Sequence, residues 1–139
     1  MRIILLVTIL FATAQPASFS TAAQRCLTYE PTAVVLYGTI RRHRFAGPPN
    51  YESVAKGDVP EDVWVLHLSK SICVSASADG DKESNVSDIQ VLFAEGQKQY
   101  DRYRPLLGRR VAVTGKLSQW QTGHHHTRVL LTVKQLKRR

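Results

Sequence analysis

Short apolar runs divided by polar, turn-forming segments set the pattern of this chain. Val34-Val35-Leu36-Tyr37-Gly38-Thr39-Ile40 is rich in β-branched and aromatic residues, which suit a pleated, half-buried strand, and Gly38 inside it marks a bulge or a tight bend. A polar loop carrying Gly47-Pro48-Pro49-Asn50-Tyr51 follows, from Ala46 to Asp62. Val63-Trp64-Val65-Leu66-His67-Leu68 reads as a second strand, extended through Ile72-Cys73-Val74. Ser75 to Asn85 is a loop of turn residues around Asp79-Gly80-Asp81, and Ile89 to Phe93 is a short third strand. At Gln97 the period changes. Tyr100, Tyr103 and Leu107 recur at helical spacing, Gly108 stops that helix, and Pro105 keeps it short. Arg109 to Leu117 returns to strand, with Val111 and Val113 on one face and a bend at Gly115. It forms a hairpin with Val129 to Leu136 across the turn Trp120 to Thr127, whose tip is polar and rich in histidine.

Three strands, a short helix and a hairpin, with a glycine near the middle of strands one and four, predict a mainly β fold. Coiled strands that bend at glycines suit a small closed barrel. The expected form is a five-stranded Greek-key barrel of the OB type, with the helix between strands three and four. A β-sandwich is the alternative, but it usually wants about seven strands. A length of 139 residues allows one domain of ordinary size, and no internal repeat or low-complexity tract is visible.

The first residues belong to a different class. Met1-Arg2, the apolar run Ile3 to Ala12 broken only by Thr8, and the small-residue stretch ending Ser20-Thr21-Ala22-Ala23 are the parts of a secretory signal peptide. The apolar run is too short for a membrane span, which needs about 20 such residues. Cleavage near Ala23 gives residues 1–23 as signal peptide and 24–139 as the barrel, secreted or periplasmic and without a transmembrane segment. Arg25 stands where a lipobox needs a small residue, which argues against lipidation of Cys26. Removing Arg2 leaves 18 of the 19 basic residues against 11 acidic ones, so the net charge changes only from +8 to +7. In an oxidising compartment Cys26 and Cys73 make a pair. The bridge would close a loop worth roughly 4 kcal/mol in the chain-entropy model; two free thiols are the alternative.

Several segments together resemble a small secreted bacterial family of unknown function. They are Cys26-Leu27-x-Tyr29-Glu30-Pro31, Gly38-Thr39, Ser71-Ile72-Cys73-Val74, Tyr103-Arg104-Pro105-Leu106-Leu107-Gly108, Val113-Thr114-Gly115-Lys116-Leu117 and Thr122-Gly123-His124-His125-His126-Thr127. The resemblance runs from about Cys26 to Val133; its distinctive parts are the Tyr103–Gly108 and Gly123–Thr127 segments. It implies a bacterial exported protein and supplies no reaction.

The histidine turn is the first candidate for chemistry. OB-folds hold oligomeric ligands over strands two and three, between the loop joining strands one and two and the loop joining strands four and five. Tyr51 falls in the first of these loops and His124, His125 and His126 in the second, so these four residues are the candidate ligand contacts. Zn²⁺ or Cu²⁺ is a further candidate, since neutral imidazole is a common metal ligand. On an extended strand adjacent side chains oppose each other, so His124 and His126 share a face and His125 does not. A tetrahedral site would need two more ligands, to be drawn from His43, His67 and the carboxylates. The plainer role for the turn is hydrogen bonding that pins the barrel mouth.

The second candidate is a basic surface: Arg41, Arg42 and Arg44 after strand one, Arg102, Arg104, Arg109 and Arg110 around the helix, and Lys134, Lys137, Arg138 and Arg139 at the end. Such a barrel has the charge for nucleic acid, but export makes phosphates of the envelope, or a protein partner, the better match. Asp79-Gly80-Asp81-Lys82-Glu83 begins like a calcium loop, yet has Ser84 where the sixth position needs glycine and Gln90 where the twelfth needs glutamate. No complete Ser-His-Asp, Cys-His or nuclease signature is recoverable. The sequence therefore points to an exported non-enzymatic binding module of undefined ligand, with divalent metal binding second and a secreted hydrolase or nuclease third. No cofactor is called for unless the His124–His126 turn takes a metal.

Overall fold

The structure, a computed structural model, describes residues 25–139, so the expected signal peptide and its cleavage point lie outside the described residues. Five strands are formed: β1 Ala33–Ala46, β2 Pro60–Val74, β3 Glu83–Leu92, β4 Arg110–Gln119 and β5 Val129–Arg138. They close in the order β1-β2-β3-β5-β4, with β4 paired back onto β1. The β3–β5 contact is parallel and the others are antiparallel. With helix α1, Gln97–Tyr103, lying between β3 and β4, this is the OB-type Greek-key barrel.

Alternation builds the core. Leu36 and Ile40 of β1, Trp64 and Leu66 of β2, Ile89 and Val91 of β3, Val111 and Val113 of β4, and Val129 and Leu131 of β5 all turn inward into one buried cluster. The helix closes one end. Trp64, Phe93 and Tyr100 meet edge to face, with ring centroids 4.6–5.5 Å apart. After Tyr103 the helix tightens into a 3₁₀ turn over Arg104–Leu106, as expected where Pro105 has no N–H to continue an α ladder.

Two boundaries differ by six residues from the sequence reading, and β2 begins at Pro60, inside the expected loop. β1 continues past Ile40 to Ala46 because Arg41, His43 and Phe45 occupy its outer face, in register with Val65, Val63 and Glu61 of β2. β3 begins at Glu83 rather than Ile89, since its polar first half still pairs with β2, through a shifted register.

Gly38 is the pivot of the barrel. It pairs with Leu68 on one side and Val111 on the other, and a Cβ there would stand 2.2 Å from the His67 carbonyl oxygen. Only glycine permits that approach. The β1–β2 register ends at Gly38, while Ala33–Tyr37 pair with β4 instead. The last third of β2 therefore splays from β1. Its edge is met instead by the N-terminal segment: Leu27 N–H donates to the Cys73 carbonyl and Ser75 N–H to the Leu27 carbonyl, both at 2.8 Å. The Cys26–Cys73 disulfide is formed at this seam.

Candidate functional site

The loop between β1 and β2 is organised by one buried carboxylate. Asp58 accepts the backbone N–H groups of Ser53, Asn50 and Glu52 at 2.8–2.9 Å, and the Asn50 side-chain amide at 3.2 Å. Those donors, Ser53 foremost, hold its carboxyl below the usual range. Tyr51, inside this ring of bonds, sits in the left-handed region at φ 59°. Its ring lies against Gly123, where a Cβ would come 2.7 Å from the ring. Its hydroxyl reaches His124 Nε2 at 3.3 Å. The two loops expected to frame a ligand are thus in contact.

Gln90 of β3 fastens the second loop. Its side-chain amide donates to the His124 carbonyl at 3.0 Å, and its side-chain oxygen accepts from His126 N–H at 2.7 Å. Its backbone N–H donates to Thr127 Oγ1, which in turn donates to the Val129 carbonyl. Because Ile89 and Val91 point into the core, Gln90 points out, together with its register neighbours Val65 and Leu130. Val65 and Leu130 are nevertheless only 2% and 1% exposed. The histidine turn lies over this part of the outer β2–β3 face, the face on which OB-folds take their ligands.

Glu61, at the start of β2, joins the histidines. Its two carboxylate oxygens face His124 Nδ1 at 2.8 Å and His126 Nε2 at 3.0 Å. The His126 ring also stacks on Phe45, centroids 4.4 Å apart and planes 3° from parallel. Burial pushes the Glu61 carboxyl up, but the bonds from His124 and His126 outweigh it and its pKa is lowered. An ionised Glu61 accepts from both rings. Neutral His124 then carries its proton on Nδ1 and leaves Nε2 to accept from the Tyr51 hydroxyl.

His125 makes none of these bonds; residues 121–128 form a turn rather than an extended strand, so strand alternation does not set its direction. Its Nδ1 accepts backbone N–H groups from Gln121 at 2.9 Å and Thr122 at 3.3 Å. Burial, and then the neighbouring His124 and His126, hold its pKa below the ordinary 6.5. It lines a polar cavity of about 310 Å³ with Trp120, Asp81 and Arg128. Among the described residues no group of three or more His, Cys, Asp and Glu side chains is placed to hold a metal ion. His124 and His126 donate to separate oxygens of one carboxylate, which is the geometry of a hydrogen-bonded clasp. Sequence reasoning named Tyr51 and the three histidines and missed Glu61, Gln90 and Phe45. The parity that puts Glu61, Val63 and Val65 on one face of β2 was the available signal.

The basic surface divides into two parts. Arg44 forms a bidentate pair with Asp62 at 2.9 and 3.0 Å, Arg104 pairs with Asp101 at 2.8 Å, and Arg102 lies 3.5 Å from Glu95. Arg41, Arg42, Arg109, Arg110, Lys134, Lys137, Arg138 and Arg139 form no ion pair among the described residues.

Fold and site together define an OB-type barrel whose mouth is clasped by its own loops. Residues 88–137, from the second half of β3 through α1 and the histidine turn to β5, match the model of a family described as a domain of unknown function (DUF4431). No curated protein matches the chain. A family of unknown function is what the sequence resemblance implied; the match begins at residue 88, within the stretch from Cys26 to Val133 over which that resemblance runs, and continues beyond it to residue 137.

Proposed function

We propose that this protein is an exported, non-enzymatic binding module for an anionic component of the bacterial envelope. The observation that carries the reading is the segregation of charge. Asp58, Glu61, Asp62, Glu83, Asp88, Glu95 and Asp101 are each engaged by partners within the chain. Among the described residues eight arginines and lysines of the basic surface have no ion-pair partner, against five acids without one (Glu30, Glu52, Asp58, Asp79 and Asp81), so the field of a chain that carries +7 after cleavage includes many groups free to meet an anion. Polyphosphate titrated into the purified protein by calorimetry tests this. Binding that weakens as salt rises, and weakens further in Lys134→Glu/Arg138→Glu, is expected; no binding at low salt overturns it. N-terminal sequencing of the protein from the envelope fraction tests export, with Gln24 expected as the first residue.

One observation favours a second reading, a hydrolase. The Tyr51 hydroxyl, His124 and Glu61 stand in nucleophile–base–acid order, the connectivity by which an imidazole activates a hydroxyl. Turnover of bis(4-nitrophenyl) phosphate that disappears in His124→Ala would support it. A rate no faster than buffer retires it.

A further inference from the structure

The splay of β1 from β2 leaves two adjoining cavities on the barrel wall. The first, about 350 Å³, is floored by Leu27, Val35 and Ile72 with the Tyr37 ring, and is rimmed by Arg25, Lys70 and Arg139. The second, about 380 Å³, shares Tyr37, Ser69 and Arg139 with the first and adds Arg110. Both volumes fall in the ~300–1,000 Å³ range of small-molecule sites. Among the described residues no Asp or Glu side chain lines either cavity.

The floor and the rim ask for different things. Val35 is 52% exposed and Tyr37 46% exposed on the outer face of β1, beside one another in a concave place rather than scattered over the surface. One of the cations beside them, Arg139, is held in position. Arg139 N–H donates to the Arg110 carbonyl at 2.9 Å, and the Arg139 guanidinium stands 4.6 Å from the centre of the Tyr37 ring. The disulfide and the Leu27 bridge secure the remaining wall. An apolar trough thus opens directly into a pocket of guanidinium and hydroxyl groups.

We propose that this split binds one molecule of a single-chain amphiphile with an anionic head, its acyl chain along Leu27, Val35 and Ile72 and its phosphate or carboxylate between Arg110 and Arg139. The inference rests on the anion-binding reading and names the site and ligand class for it. Arginine suits the head, because its planar fork meets two oxygens at once. The occupant is a monomer taken from solution, since a trough of this size receives one chain and offers no broad apolar face to a bilayer.

The test is calorimetry with decyl phosphate below its micelle-forming concentration, beside inorganic phosphate and decanol as separate probes. Saturable one-to-one binding of decyl phosphate is expected, roughly tenfold tighter than decanol, with inorganic phosphate weaker still. Arg110→Ala/Arg139→Ala should lose about tenfold for decyl phosphate and leave decanol unchanged. Val35→Asp should abolish binding; if its melting temperature shows it to be unfolded, Val35→Ser is used with the same expectation of weakened binding. Equal affinity for decanol and decyl phosphate overturns the proposal, as does binding to anionic vesicles without binding to the monomer. Polyphosphate binding without decyl phosphate binding overturns this site alone. Loss of both removes the anion reading with it.

Discussion

At one end of β1, Phe45 stacks on His126 while Glu61 receives two imidazoles; at the other end, Val35 and Tyr37 are half exposed beside cations that pair with no Asp or Glu side chain among the described residues. The first region contains the residues a reader of the sequence notices, three histidines and a tyrosine in the loops where OB-folds bind. Their polar groups are largely answered from within the chain. The second has no motif, yet its apolar surface and its charges are unanswered. A group that has already met its partner must give that partner up to take a ligand, whereas an unmet group has less to lose. The clasp is therefore the poorer place to look for a ligand and the better place to look for stability.

The sharpest way to separate the regions is to remove the disulfide. Cys26→Ser/Cys73→Ser frees residues 47 apart in sequence, and should cost about 4 kcal/mol on the loop-entropy argument, read by urea unfolding. It should weaken decyl phosphate binding as well, because Leu27 loses its anchor, and leave the Tyr51–His124 contact in place. Next is Gly38→Ala, where the new Cβ would meet the His67 carbonyl. A loss of about 3 kcal/mol is expected from forced overpacking, again by urea unfolding, since both regions hang from the bend at that residue.

Glu61→Gln acts on the clasp alone. Two bonds to a charged acceptor at a partly exposed site should be worth about 2 kcal/mol together. The Glu61 carboxyl titrates lower in the folded chain than its ordinary 4.5. Its contribution is thus fully present above that value and is lost as pH falls through the lower, folded one. His125, held below 6.5 by burial, adds a loss of stability that begins at higher pH, because folding disfavours its charged form. Melting temperature against pH should fall more steeply through the acid range in wild type than in Glu61→Gln. Amphiphile binding should not change in that variant. The smallest effect expected is that of Zn²⁺, Cu²⁺ or Ni²⁺ on melting. Equal small shifts in wild type and His124→Ala/His126→Ala are expected, while a rise of several degrees confined to wild type would make the clasp a metal site.

Much of the barrel was legible because its inward positions are apolar and alternate, as Val111, Val113 and Leu117 do in β4 with Gly115 between them. The polar half of β3 was not, since Glu83 to Asp88 carries too little apolar alternation to be told from a loop. Arg41 to Phe45 hid the end of β1 for a related reason: the outer face of a strand has no hydrophobic signature of its own. At the site, the loop positions of Tyr51 and the three histidines were legible from the order of the strands. Strand parity places Glu61 on the outer face of β2 but could not bring it to His124, 63 residues away, because that contact is made only when the barrel closes. The split was further from reach. Leu27, Tyr37, Lys70 and Arg139 come from four parts of the chain and meet only because Gly38 passes β1 from one neighbour to another.

The parallel pairing of β5 with β3 also governs how the molecule is assembled. β5 supplies both the contact to β3 and the hairpin partner of β4, so the ring closes only through residues 129–138. A nascent chain that has made everything up to β4 holds two open strand edges and a core missing one wall. Topologies dominated by such distant pairings fold slowly, on the order of milliseconds to seconds. During that interval the edges of β3 and β4 are the places where another chain could pair, and only the arrival of β5 covers both.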